Sequence, residues 1–376
     1  MKKSELVKAI VAKCERIHPN LYHSVAKKDV ETFINDVNWD GLSEIEFDCN
    51  MLKLFSMFKD AHTSYMNNIP FEGMGINMWY ICGKIYLRRE GNFLEVKSIN
   101  GCPAEDVVCM MSGLMNYETE SWKNHMLDSK ISNGYFYKML GIAKDRVCVE
   151  AKEDGGGLVV VEGEIKSHKA KEKKVSNGQK SSQIPIYNYQ IINENVLRLN
   201  YRSCQNIEDY PFVQFLEDMK KDLQDKNIEG VVVDLRGNSG GRSSIIVPFV
   251  EYVKENNWPC VVLMDNGTFS SGVIAVRDFK VDCGAVLVGE EAGQGTQHYG
   301  NCPPFELDGK SISCCTKYFD FSQELGYEGV VKPDIYVRRT LEEFRTGQQT
   351  QQVRTAYETI NKLIEEKRNE QTKTIE

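Results

Sequence analysis

Two clusters of small polar residues in the second half of the chain could carry nucleophilic chemistry. The first is DLRGNSGG, residues 234–241, and the second is MDNGTFSSGVIAVRDF, residues 264–279. Each begins where an apolar run typical of a buried strand ends. Ligands of open parallel sheets bind beyond the carboxyl ends of the strands, so both clusters are expected at such a position.

In the second cluster, Ser270 or Ser271 would stand at the first turn of the helix that follows the strand. A helix N-terminus leaves N–H groups unpaired and carries partial positive charge, which suits a serine whose attack generates an oxyanion. The N–H of Ser271 is a natural donor to that oxyanion. Gly240 and Gly241 could turn their N–H groups into the same cleft, because glycine permits positive φ. The alternative is that both serines only cap the helix.

Four segments of the chain resemble a known family of peptidases. They are EGVVVDLRGNSGG, VLMDNGTFSSGVIAV, VLVGEEAGQGT and VKPDIYV, all within residues 195–340. Their order and rough spacing are similar to those of the C-terminal processing peptidases and tricorn-type serine peptidases, the tail-specific protease family. The resemblance implies a serine peptidase that works through an acyl-enzyme, with Ser270 as nucleophile and Ser271 as the alternative.

The resemblance also implies which residues assist the serine. The processing peptidases use a lysine, but this chain has Gln294 near that place. The tricorn-type branch uses a histidine in a DGHT-like motif, which the DAHT of residues 60–63 matches, so His62 becomes the general base. Imidazole suits that task because its pKa lies near working pH. A glutamate shortly before the GVxPD motif matches Glu328, which would orient the imidazole, and His298 is the alternative base.

A parallel sheet would position these residues. Between 195 and 340 apolar strands alternate with helices, which indicates a sheet covered on both faces. Together with the resemblance, this predicts an α/β class with a crossover, ClpP/crotonase-like core over residues 191–340. Asp234, Arg236 and Asp334 lie at strand ends in this core, where we expect structural ion pairs rather than catalysis.

The remaining segments are interpreted from their periodicity. Residues 1–68 form an N-terminal helical segment, and residues 69–190 form a β-rich region for which a PDZ-like domain is one interpretation. A mobile hairpin tip is expected between 154 and 183. Residues 341–376 read as a C-terminal helix, begun by a capping box at Thr340 and Glu343.

Composition excludes several classes of protein. The net charge is -8 with dispersed Lys and Arg, so nucleic acid is not an expected partner. No run approaches the length of a membrane span, and the N-terminal 20 residues resemble an amphipathic helix rather than a signal peptide, so a cytoplasmic location is expected. The twelve cysteines are interpreted as mostly reduced core thiols. No cofactor or metal is expected, and the partner would be a peptide or protein substrate.

Three other functions remain open at this point. The same site could serve a non-peptidase acyl hydrolase, because nucleophile, base and oxyanion donors do not fix the leaving group. A catalytically inactive peptide- or ligand-binding protein could have kept the cleft, which the missing lysine favours. The β-rich segment around residues 95–110 could instead dock a partner's chain end by strand addition.

Overall fold

The structure is a computed structural model that describes residues 1–153, 155–167, 185–346 and 350–375. The chain divides into two compact units, each built from two stretches. Unit 1 is Met1–Gly178 with His298–Phe319, and unit 2 is Gln179–Gln297 with Asp320–Glu376. The four segments predicted from the sequence follow other boundaries and stay a prediction. The mixed α/β class is confirmed, with several separate sheets.

Unit 1 begins with three helices, as the helical spacing of its apolar residues predicted. They are α1 (Lys3–Ile17), α2 (Lys27–Asp36) and α3 (Glu44–Ser56). A capping box formed by Ser43 and Glu46 starts α3, because two otherwise unpaired N–H groups are satisfied there. The buried faces of α1 and α3 share one core with the β-rich part of the unit.

The β-rich part of unit 1 is an antiparallel sheet with three helices inserted in the chain before its last two strands. The elements are β1 (Glu72–Gly73), β2 (Met78–Ile81), β3 (Lys84–Arg89), β4 (Asn92–Ile99), β5 (Cys102–Pro103), α4 (Ala104–Ser112), α5 (Glu120–Lys130), α6 (Gly134–Met139), β6 (Arg146–Lys152), β7 (Leu158–Glu164) and β8 (Lys166–Ser167). The sheet runs in the order β2-β3-β4-β6-β7, β5 joins β4, and β1 pairs with β8. Residues 95–112 form the end of β4, the short strand β5 and the helix α4. Most of the predicted hairpin tip lies outside the described residues.

Unit 2 continues with alternating strands and helices. These are β9 (Tyr187–Ile192), β10 (Val196–Tyr201), α7 (Phe212–Leu223), β11 (Gly230–Asp234), α8 (Val247–Glu255), β12 (Cys260–Met264), α9 (Ser271–Cys283) and β13 (Val286–Gly289). The chain then forms β14 (Gln297–Gly300), β15 (Pro304–Leu307), β16 (Lys310–Ser313) and β17 (Lys317–Asp320), most of which belong to unit 1. It ends in unit 2 with α10 (Ser322–Leu325), β18 (Ile335–Tyr336), α11 (Leu341–Thr346) and α12 (Gln351–Ile375).

The sheet of unit 2 has the strand order β18-β13-β12-β11-β10-β9. Among the strands that the structure describes in this sheet, all neighbours from β10 to β18 are parallel, and β9 is antiparallel to β10. Every residue of β11 and β12 is buried, because α7, α8 and α9 share a core with one face and α12 covers the other. Buried parallel strands read as continuous apolar runs for this reason. The predicted strands and helices of this region are confirmed.

A helix that crosses a bilayer must be both long and apolar. Within the described ranges, no helix combines the length and the apolar character needed to cross a bilayer. The C-terminal helix α12 instead packs its apolar residues against the sheet of unit 2.

Candidate active site

Ser270 occupies the turn that joins β12 to α9, and its backbone is unusual. Its φ is 53° and its ψ is -126°, a conformation that residues other than glycine rarely adopt. The helix begins at the next residue, Ser271. A serine held in a strained conformation on a sharp strand-to-helix turn is the arrangement called a nucleophile elbow. The side chain of Ser270 is therefore placed as a nucleophile would be.

Hydrogen bonds to neighbouring loops hold this turn. The N–H of Ser270 donates to Oε1 of Gln294 at 2.9 Å, and the Gln294 residue is completely buried. The N–H of Phe269 donates to the carbonyl of Asn238 at 2.9 Å. The hydroxyl of Ser271 donates to the carbonyl of Gly241 at 2.7 Å. Residues that follow β11 and β13 thus hold the backbone of Ser270 in this conformation.

The loop after β11 approaches the Ser270 turn so closely that only glycine fits at two places. A Cβ on Gly240, whose φ is 102°, would lie 2.7 Å from the Cβ of Ser270 and 2.8 Å from the nitrogen of Ser271. A Cβ on Gly272 would lie 2.4 Å from the carbonyl oxygen of Asn238. Real Cβ atoms essentially never come this close to other heavy atoms, so the two glycines are a requirement of the turn.

Asn238 fixes the glycine loop from inside. Its Nδ2 donates to the carbonyl of Tyr201 at 2.9 Å, and its Oδ1 accepts the N–H of Gly240 at 2.9 Å. Of the predicted oxyanion donors, Gly240 therefore uses its N–H within its own loop. The N–H groups of Ser271 and Gly241 stay the predicted donors.

The charged residues at the strand ends form the ion pairs expected from the sequence. Asp234 is completely buried, and its carboxylate accepts hydrogen bonds from Arg236 at 2.7 and 2.9 Å. Burial alone would raise the pKa of Asp234, but the hydrogen bonds and charges of Arg236 and two other arginines lower it to about 2. Asp334 pairs with Lys280 at 2.8 Å. These groups hold loops and strands of unit 2.

His62 lies in unit 1, in a turn that follows α3. It is buried, with 8% of its surface exposed, and its backbone N–H donates to Oδ1 of Asp60 at 3.0 Å. Burial lowers the pKa of the His62 imidazole, while the charge of Asp60 and a hydrogen bond with the backbone of Tyr299 act in the opposite direction. The imidazole is therefore neutral at neutral pH, which is the state in which it can accept a proton.

Asp60 is the buried carboxylate beside His62. Its Oδ2 lies 2.8 Å from Nε2 of His18, and its Oδ1 lies 3.5 Å from the sulfur of Cys315. Burial would raise the pKa of Asp60, but hydrogen bonds from His18 and Thr63 and the proximity of His62 hold it well below its usual range. Asp60 is thus an ionised carboxylate that is shielded from solvent.

The backbone of the same turn is braced from two directions. Asn116 accepts the N–H of Asp60 at 3.0 Å and donates to the carbonyl of Thr63 at 2.7 Å. Ser64 and Ser313 exchange two backbone hydrogen bonds of 2.9 and 3.1 Å, which join the turn to the end of β16. The position of His62 therefore depends on residues far apart in the chain.

Two groups of side chains in unit 1 carry atoms that metals bind. His18, Asp60 and Cys315 form one group, and Asp60, His62 and Glu118 form the other, with the ligand atoms of each group within 4.8 Å of one another. Imidazole, thiolate and carboxylate are zinc ligands. The Asp60 carboxylate of both groups already accepts hydrogen bonds from His18 and from the His62 backbone.

The other predicted site residues take different places. Glu328 is exposed, in the loop of unit 2 that precedes β18, and its role stays a prediction. His298 is buried in unit 1, where its ring stacks on Phe319 at 5.3 Å. Sequence reasoning missed Glu118, whose carboxylate accepts the N–H of Ala61 at 3.2 Å. It also missed His18, because no local pattern links either residue to the DAHT motif.

Comparisons with known proteins bear on the fold. No family model matches the chain, and no curated protein matches it in sequence. Among solved structures, mature CPAF is similar with a TM-score of 0.64 and 10% identity over 96% of both chains. The photosystem II D1 C-terminal processing protease follows with 0.45 and 13% identity over 90% of this chain and 94% of that one. The tricorn protease gives 0.44 and 12% identity over 97% of this chain and 37% of that one.

The likeness to mature CPAF covers nearly the whole chain, so the two proteins share a fold. At 10% identity it is a statement about architecture alone. The lower scores of the other two proteases add no weight to it.

Proposed function

We propose that this protein is a serine peptidase that cleaves peptide or protein substrates through an acyl-enzyme on Ser270. The observation that carries the proposal is the backbone of Ser270, with φ 53° and ψ -126° at the start of α9. Strain of this kind costs on the order of 1–3 kcal/mol and persists where the surroundings enforce it, which is typical of active sites. Gln294 and Gly240 enforce it here.

In the proposed reaction, His62 takes the hydroxyl proton of Ser270 as the oxygen attacks the substrate carbonyl. The N–H groups of Ser271 and Gly241 donate to the oxyanion that forms. The protonated His62 then gives its proton to the leaving amine. Water, activated by His62 as base, hydrolyses the ester bond to Ser270, which releases the acyl group as a carboxylic acid and restores the serine hydroxyl. The lowered pKa of His62 supports this assignment, because a neutral imidazole is available at neutral pH.

A carboxylate should stabilise the imidazolium that His62 becomes. Within unit 1, Asp60 and Glu118 each bring a carboxylate oxygen within 4.8 Å of His62 ligand atoms. We propose Asp60 for this role because it is fully buried and its low pKa keeps it charged. Glu328, the residue that the sequence resemblance implies, remains the alternative.

The finer architecture belongs to the same proposal. The parallel strands β10 to β13 with their crossover helices support a ClpP/crotonase-like core, and the antiparallel sheet of unit 1 supports a PDZ-like domain. A cytoplasmic location is supported by the cysteines, all twelve of which are free thiols. Half of them are buried, while Cys82 and Cys109 are exposed.

A fluorophosphonate probe tests the proposal, because it labels serines that are activated as nucleophiles. We expect one adduct per chain, located at Ser270 by mass spectrometry. Ser270→Ala should remove the label, and His62→Ala should slow labelling about 100-fold or more, the usual size of a general-base effect. Hydrolysis of a peptide library should fall with the label in both variants.

Matched controls are available in the same chain. Ser129 is an exposed serine of α5, and His125 stacks on Trp122, so Ser129→Ala and His125→Ala should label like the wild type. A wild type that is folded but takes up no label would overturn the peptidase proposal and favour an inactive binding protein. Hydrolysis of esters without hydrolysis of peptides would point to a non-peptidase acyl hydrolase.

A further inference from the structure

His18 is a buried histidine that the proposed reaction has not used. It lies at the end of α1, 42 residues before Asp60, and both side chains are completely shielded from solvent. The Nε2 atom of His18 and the Oδ2 atom of Asp60 are 2.8 Å apart. A buried histidine in contact with a buried carboxylate can fix both the charge and the orientation of that carboxylate.

The second ring nitrogen of His18 determines where its proton is. Nδ1 accepts a hydrogen bond from the backbone N–H of Asn20 at 3.0 Å, so Nδ1 carries a lone pair and no proton. The proton of the neutral ring is then on Nε2, which donates to Asp60. The turn at Asn20 therefore selects the tautomer that makes His18 a donor.

The two oxygens of Asp60 have separate tasks. Oδ2 accepts from His18, while Oδ1 accepts the backbone N–H of His62 at 3.0 Å and faces the thiol of Cys315 at 3.5 Å. If the His18 bond is lost, Oδ2 loses its donor, and the burial of the carboxylate then favours protonation. Both changes would reach His62 through Asp60.

We propose that His18 is a positioning residue for the peptidase reaction, holding Asp60 as an oriented, ionised carboxylate that stabilises the imidazolium of His62. The inference rests on the proposed function, because it assigns His18 to the base of that reaction. His18 acts through Asp60 and is not itself a catalytic residue.

Three thiols and one phenol close to this pair keep their protons, and the ring of His23 stacks on that of His18 with 6.2 Å between the ring centroids. Burial raises the pKa values of Cys302, Cys315 and Tyr299, and a hydrogen bond with Cys314 raises that of Cys14, so these groups keep their protons. Glu118 is the second carboxylate next to His62. Among the described residues, Asp60 and Glu118 are thus the two carboxylates with an oxygen within 4.8 Å of a ring nitrogen of His62.

Two variants distinguish the hydrogen bond that Nε2 of His18 donates to Asp60 from the one that Nδ1 accepts from Asn20. In His18→Gln, the side-chain amide can still donate to Asp60 from the position of Nε2. In His18→Asn, the shorter side chain can accept from Asn20 at the position of Nδ1 but cannot reach Asp60. The experiment measures kcat and KM for a peptide substrate of the wild type and both variants from pH 5 to 9, with thermal unfolding as a check of the fold.

For His18→Asn we expect kcat to fall about 10- to 100-fold, the rate equivalent of one hydrogen bond to a charged group, with KM changed less than about twofold. The acid limb of kcat/KM should move to lower pH, because a weaker Asp60 charge lowers the pKa of His62. An enzyme that is slower yet less sensitive to acid is not the signature of partial unfolding. His18→Gln should stay within about fivefold of the wild type.

Several outcomes would overturn the inference. These are wild-type kcat in His18→Asn, a loss of kcat with an unmoved acid limb, or equal losses in the two variants. If His18→Asn does not fold, an NMR titration of His62 in Ser270→Ala with and without His18→Gln decides, and a shift of the His62 pKa by more than about one unit in the Gln variant contradicts the inference. Failure of the wild type to hydrolyse peptides would instead overturn the proposed function, before any His18 variant is made.

Discussion

The turn that carries Ser270 and the turn that carries His62 are built in opposite ways. Ser270 is fixed mainly by the close approach of two backbone segments: its φ is positive, and Gly240 lies against it with no room for a side chain. His62 is fixed by side chains, chiefly those of Asp60 and Asn116, which hold the backbone of its turn. The first turn should therefore be broken by adding atoms, and the second by removing hydrogen-bonding groups.

The largest effect is expected from Gly240→Ala in unit 2. The new Cβ would lie 2.7 Å from the Cβ of Ser270 at a φ of 102°, so both the loop and the Ser270 turn must shift. Strain and overpacking together should lower the free energy of unfolding by about 2–4 kcal/mol. The rate of fluorophosphonate labelling should fall about 100-fold or more, since displacement of a reacting atom by an ångström has that effect.

Gly284→Ala provides the matched control for this prediction. Gly284 has a φ of 63° at the other end of α9, and its Cβ would meet open space. Its substitution should cost about 1–2 kcal/mol of stability by strain alone and leave the labelling rate unchanged. Wild-type labelling of Gly240→Ala would show that the close approach is not required for the nucleophile.

A smaller effect is expected when Gln294 loses its acceptor. Gln294→Met keeps the length of the buried side chain but leaves the N–H of Ser270 without its partner at 2.9 Å. An unsatisfied buried N–H costs about 1–3 kcal/mol. Because this cost destabilises the conformation of the Ser270 turn, the labelling rate should fall roughly 10-fold. The check is the labelling rate beside that of Gln294→Glu, which retains an acceptor at the same position. Equal rates in both variants would exclude this role for the Gln294 oxygen.

The smallest effect concerns the pH dependence of stability and tests the turn that carries His62. The pKa of His62 is lowered in the folded protein, so below 6.5 the unfolded chain binds more protons and the stability falls as the pH falls. This one group contributes at most about 1.4 kcal/mol per pH unit. Urea unfolding at pH 7 and 5.5 should therefore show a shallower decrease in His62→Gln than in the wild type. A steeper decrease in the variant would contradict the direction of the shift.

The same contrast explains how much could be predicted from the sequence. The parallel strands were predictable because β11 and β12 are buried on both faces and read as unbroken apolar runs. The helix start at Ser271 was predictable because small polar residues follow a strand directly. The structural role of Asp234 and Arg236 followed from their place at a strand end. All of these signals lie within a few neighbouring residues.

The surroundings of His62 carried no such signal. His18 and Glu118 contact the turn from 42 and 57 residues away, and Cys315 contacts Asp60 from 255 residues away. Periodicity and local motifs report on neighbours in the chain, so they cannot predict contacts between residues that are so far apart in sequence. In the sequence, Gln294 differs from the resembling family only by the absence of a lysine, because the hydrogen bond that its side chain accepts from the N–H of Ser270 depends on how two loops meet.

The excursion of residues 298–319 into unit 1 sets an order of events during protein synthesis. The hydroxyl of Thr63, next to His62, accepts the N–H of Cys315, which the ribosome adds 252 residues later. At typical elongation speeds that interval lasts roughly 13–50 s. The Ser270 turn needs nothing beyond Gln294 among the contacts described for it, so it can form first. In a nascent chain, the hydrogen bonds described for the Ser270 turn can therefore form before the one that joins Thr63 to Cys315.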